Sequence, residues 1–142
     1  MSKALDIRKE AVTRITAGDF ADTIIRGKRN FNEHELPAVC IYMSDISVRS
    51  AQSNRYAMDA KLVIEYHKSV AELTPDQIDN LADSMLAQVR GAIEVDPRQF
   101  PSQILNYPGI SYESDDIEYP EAGGNVVAVL VVYQVPHIEN HG

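Results

Sequence analysis

The sequence predicts an α+β fold: a single mixed, mainly antiparallel β-sheet with two main helices packed on one face and a C-terminal β-hairpin. Three observations point there. An amphipathic helix opens the chain, a second one with strong capping signals sits mid-chain, and apolar runs of strand character lie on either side of that second helix. The order helix, strands, helix, strands lacks the repeated alternation of a parallel α/β fold, so both helical stripes are expected on one sheet face. A length of 142 residues, 44% hydrophobic and 24% charged, fits one domain over 1–142 with a real core.

Ala4, Ile7, Ala11 and Ile15, joined by Leu5 and Val12, recur at three- and four-residue spacing. Gly18 is placed to end that helix. "TIIRGK" (Thr23–Lys28) is a short β-branched run suited to an edge strand, and "FNEHE" is a polar connection. "PAVCIYMSD" is apolar from Ala38 to Met43, with Pro37 at the first position, where a strand tolerates a missing donor. "DISVRSAQSNRY", residues 45–56, loses that density and reads as a long loop or a protruding hairpin.

Strand pattern resumes at "AMDAKLVIEYH". Met58, Ala60, Leu62, Ile64 and Tyr66 share one face, and Asp59, Lys61, Val63 and Glu65 share a wet one. In "TPDQ", Thr74 is the N-cap, Pro75 the first helical residue, and Gln77 reaches back to complete a capping box. Asp76 and Asp79 suit the positive end of the helix dipole. Ile78, Leu81, Ala82, Met85, Val89, Ala92 and Ile93 form its apolar stripe, and Pro97 stops it.

Residues 98–109 carry Pro101, Pro108 and Gly109 and read as irregular, with one helical turn near Ile104. "ISYESDDIEY" and "NVVAVLVVYQV" form a hairpin across "PEAGGN". Val126–Val135 is apolar on both faces apart from Gln134, so it is a central strand with helices on one side. A neighbouring subunit or the chain's own loops cover the other side.

The 21 acidic against 13 basic residues give a formal charge of −8. That argues against a sequence-reading nucleic-acid binder, which needs a basic surface to neutralise phosphates. Cys40 is the only cysteine, so no intrachain disulfide forms, and inside "PAVCIYM" it is a small buried hydrophobe rather than a nucleophile. The opening thirty residues lack a signal-peptide core, and no stretch reaches the roughly 18 apolar residues of a membrane span. The expectation is a soluble protein made in a reducing cytoplasm, with no cofactor.

Catalytic patterns fail one by one. Gly123-Gly124 lies between strands, not before a helix, so it is no phosphate loop. Ser44-Asp45 lacks a placed histidine. "HIENH" puts His137, Glu139 and His141 at alternating positions that an extended tail would bring together on a metal, but a polar frayed terminus accounts for them more simply. Asp115 and Asp116, with Glu113 and Glu118 near, point to opposite faces of a strand and read as solvated. In "RGKRN", Arg26, Lys28 and Arg29 would suit a phosphate backbone or an acidic partner, but at a net charge of −8 protection of an edge from aggregation is the favoured reading. The chain is not expected to be an enzyme.

The amphipathic N-terminal helix is followed by "TIIRGKRNFNEHELPAVCIYMSD", a polar loop, "YAMDAKLVIEYHK", the capped helix "TPDQIDNLADSMLAQV" and "DDIEYPEAGGNVVAVLVVYQV". In that combination and order it resembles the lambda-type tail terminator family of long-tailed phages, most closely over Thr23–Val89. The resemblance implies a subunit of a hexameric ring that caps the tail tube, stops its polymerisation and presents the head-tail joining surface. It also implies the tail tube protein and a head-completion (neck) protein as partners, DNA passing through the lumen without specific binding, and a place at the head-proximal end of the virion tail, assembled in the host cytoplasm. The family has no catalytic residues to carry over. A head-completion or minor tail protein is the nearest alternative, and a monomeric binding module or small enzyme the more distant one.

Physical reasoning nominates two interface regions. The first is residues 45–56, above all Arg49, Arg55 and Tyr56, because connections of this length are usually functional. The second is the acidic strand with Glu113, Asp115, Asp116 and Glu118. A basic segment of one copy meeting an acidic strand of the next would close a ring.

Overall fold

A computed structural model of the chain describes residues 3–27, 35–52, 54–95, 110–122 and 124–140. Its elements are α1 (Lys3–Gly18), β1 (Thr23–Arg26), β2 (Ala38–Gln52), β3 (Arg55–Ser69), α2 (Pro75–Ile93), β4 (Ser111–Glu118), β5 (Val126–Gln134) and β6 (His137–Asn140). They build one sheet in the order β1-β2-β3-β5-β4, with β6 added on β3 beyond the end of β5. Only β1 and β2 run parallel; every other pair is antiparallel. The expected α+β architecture is the observed one.

Both helices lie on the same face, and a single core fills the space beneath them. Ile7, Ala11 and Ile15 of α1 and Ala82, Met85, Val89 and Ile93 of α2 meet Val39, Ile41, Leu62, Ile64, Tyr66, Val127, Val129, Val131 and Tyr133 of the sheet. Thr74 caps α2 as the sequence predicts: its Oγ1 accepts from Gln77 N, and the Gln77 side chain accepts from Thr74 N at 2.9 Å. At the other end, Glu94 Oε2 accepts from Arg90 Nε at 2.6 Å and from the Tyr133 hydroxyl at 2.8 Å. Arg14 of α1 donates to Ile93 O at 2.8 Å. These bonds fasten the end of α2 to the sheet and to α1.

α1 ends at Gly18, where the sequence places its end. The next residue, Asp19, is left-handed at φ 52°, and its N–H donates to Thr16 O. Gly18 also permits close approach, since a Cβ there would lie 2.7 Å from the Phe20 ring, which itself packs on Tyr66.

Of the two readings of residues 45–56, the protruding hairpin is the observed one: β2 and β3 stay paired out to Gln52 opposite Arg55. Two expectations are corrected. Glu65 is not on a wet face; it is 5% exposed, beside Val63 at 6% and His67 at 3%. The face is wet at its two ends, at Asp59 and Lys61 toward the hairpin and at Ser69 at the other. The C-terminal "HIEN" is not frayed, because it pairs with β3 as β6 and His137 is fully buried. The expectations for Lys28, Arg29, most of "FNEHE", residues 98–109, Gly123 and His141 fall outside the described residues.

Candidate subunit interface

Strand β3 is fifteen residues long, and its neighbours do not all follow it. β1 pairs with β2 only as far as Ile41, while β5 and β4 reach no further than the level of Lys61. Past that level β2, β3 and β6 continue alone as a three-stranded arm. The six steps from Lys61 to Arg55 carry it roughly 20 Å beyond the body of the sheet. Sequence reading understated this arm because its residues are polar, and polar strands look like loops until a partner strand is known.

Two β-bulges shape the arm. One extra residue lies in β2 between Ser44 and Ser47, where Asp45 takes φ 51°, and another lies between Val48 and Ser50, where Arg49 is the additional residue. Bulges increase twist and hinder edge-to-edge stacking. Beyond Ile41 the outer edge of β2 has no strand partner among the described residues. Along it Ile46 is 48% and Val48 53% exposed, so the arm offers apolar side chains along that edge.

The nominated residues divide into three groups. Arg49 pairs with Asp59 at 3.7 Å, an exposed ion pair of small consequence. Arg55 begins β3 at the end of the arm and is exposed, and Tyr56 is half-buried opposite Ala51 and Glu139. The acidic residues lie on β4, the last strand of the sheet, on the side opposite β1 and β2. Glu113 is the extra residue of a bulge between Tyr112 and Ser114. It accepts from Gln134 Nε2 at 3.0 Å and pairs with Lys61 at 3.3 Å. The Gln134 hydrogen bond first, and then Lys61, hold its carboxyl below the ordinary range, while Lys61 is pushed up, chiefly by Glu113 and also by Asp45 at 3.6 Å.

Asp115 accepts from the Tyr112 hydroxyl, and Asp116 from Ile117 N at 2.9 Å. Their cross-strand partners, Val131 and Leu130, place them on opposite faces, and Glu118 closes the strand opposite Ala128. Within one chain the acidic strand is paired by Lys61, through Glu113, while Arg49 pairs with Asp59 of β3.

Sequence reasoning missed one polar cluster. On the face away from the helices, the Tyr42 hydroxyl donates to Glu65 Oε2, and His67 Nε2 lies 3.1 Å from Glu65 Oε1. Alternation placed Glu65 with Asp59 and Lys61, and only the long β2–β3 register reveals that Tyr42 stands two residue pairs away from it, on the same face. Among the described residues no group of three or more His, Cys, Asp or Glu is arranged to hold a metal, and no helix is long and apolar enough to cross a membrane. No protein-family model and no curated protein matches the chain.

Proposed function

We propose that the chain is a structural virion protein, the tail terminator of a long-tailed phage, which assembles as a hexameric ring. The ring caps the tail tube, stops its polymerisation and forms the surface that the head-completion protein meets, while DNA passes through the lumen without specific binding. The observation that carries the reading is the asymmetry of the sheet. One side ends in the arm edge of β2, with Ile46, Val48 and Arg49 along it, and the other ends in the acidic strand β4. Two different complementary surfaces on opposite sides of one subunit are what a head-to-tail contact requires, and such contacts close into rings when the rotation permits. The resemblance over Thr23–Val89 supplies the biological role.

Native mass together with end-on imaging tests the assembly, and addition of purified protein to growing tail tubes tests the role. A six-fold ring with an open lumen that halts tube growth is the expected result. A ring that leaves growth unchanged favours a neck protein, and a monomer at every concentration removes the reading.

A further inference from the structure

Beyond Glu118 the chain turns at Glu121–Gly124, closed by Gly124 N donating to Glu121 O at 2.7 Å. Beside this turn is a cavity of about 650 Å³, lined among others by His67, Glu118, Tyr119, Glu121 and Asn125. Its chemistry is specific. Two carboxylates and an amide provide acceptors. Tyr119, 55% exposed and held by its hydroxyl to Asp79 at 2.8 Å, provides an aromatic face. His67, 3% exposed and beside Glu65, closes the inner wall. Acceptors plus an aromatic face suit a planar guanidinium, which takes hydrogen bonds in its plane and stacks on rings.

This chain carries such a group at its opposite pole. Arg55 sits at the end of the arm, and its exposed guanidinium makes no hydrogen bond or ion pair with the described residues. The Glu121 carboxylate is likewise exposed and without a partner among them. The fourteen steps of β3 from Arg55 to Ser69 put the two roughly 46 Å apart. One chain therefore cannot join them, but two copies can, head to tail.

We propose that the cavity is a socket for Arg55 of a second copy, with Glu121 as its main acceptor and Glu118 and Tyr119 beside it. The proposal rests on the ring reading and sharpens it. It moves the contact from the middle of β4, where Glu113 and Asp115 already have partners in their own chain, to the turn that follows it.

Charge exchange tests the contact. R55E alone sets a carboxylate against Glu121, and E121K alone sets an ammonium against Arg55. Each is expected to weaken assembly at least about tenfold, the scale of a close interfacial charge pair. Mixing the two variants makes every contact of an alternating ring attractive again, and six positions allow strict alternation. The mixture, and separately the double variant R55E/E121K, are expected to regain the wild-type mass. Both sites are exposed, and a thermal melt of each single variant checks that the fold is kept. Wild-type rings with R55E rings of equal strength overturn this contact and leave the ring standing, as does a mixture that stays dissociated. A wild-type chain that never associates overturns both.

Discussion

The two faces of β5 differ in cover, and matched truncations measure the difference. Val129 is fully buried under the helices, whereas Val132, three residues on, is only half-buried on the helix-free face. Changing either to alanine removes the same two methyl groups and the same strand preference, so intrinsic propensity cancels in the comparison. At Val129 the lost transfer is about 1.6 kcal/mol, at ~0.8 kcal/mol per carbon. A residual void of ~40 Å³ adds about 1 kcal/mol, at ~24 cal/mol per Å³. At Val132 about half of the transfer is lost and no void is enclosed, so the cost is about 0.8 kcal/mol. The expected gap is thus about 2 kcal/mol, read from urea midpoints at unchanged slope, at a concentration where the chain is monomeric. Equal costs for V129A and V132A would show that the second face is sealed within one chain. The run of valines would then no longer argue for a neighbour.

Three other outcomes follow from individual contacts. T74A removes the oxygen that caps α2 at Gln77 N and is expected to cost about 1 kcal/mol by thermal melt, with T74S restoring most of it. The Glu94 carboxyl is held below its ordinary value chiefly by the Arg90 hydrogen bond, with the Tyr133 hydroxyl assisting and burial opposing. A depressed carboxyl contributes stability above its unfolded value of 4.5 and loses it as pH falls through the folded value. E94Q should therefore lower the urea midpoint at pH 7 and flatten its fall below about 4.5; an unchanged acid limb refutes the coupling. G18A forces the Phe20 ring off Tyr66, since the new Cβ would lie 2.7 Å from it, and the expected loss is about 1–2 kcal/mol despite the better helix former.

Local signals were legible where the physics is local. The cap, the first-turn proline and the stripe of α2 lie within one segment, and each stands where the sequence places it. The short edge strand β1 and the pairing of β4 with β5 also stand where residue type places them, although the parallel direction of β1 was not legible. What depends on partners distant in sequence was not legible. Val63 and Glu65 alternate correctly, but their burial is decided by Tyr42 and Leu130 on the neighbouring strands. His137 looks like a tail residue until β3 proves long enough to pair with it. The arm shows the limit most clearly: Ser47, Arg49, Ser50 and Gln52 have no apolar alternation, so their strand character comes from β3 opposite them.

The construction of the arm bears on how it would dock. A bare two-stranded ribbon is marginally stable in water, and ordering one on contact would offset much of the binding free energy. Here β3 is paired on both sides almost to its first residue, by β2 on one flank and by β6 on the other. Pro136 interrupts the line between β5 and β6, yet Val135 N still donates to Ala60 O at 2.9 Å, so the support runs from body to tip with a single break. His137 anchors the near end of β6: it is fully buried, and its Nδ1 lies 3.0 Å from Val135 O. A stiff arm loses little conformational freedom when its end is captured, so one guanidinium at the tip can define a contact that a flexible loop with the same residues would not. If the proposed contact forms, β6 supports it by keeping Arg55 at a fixed reach.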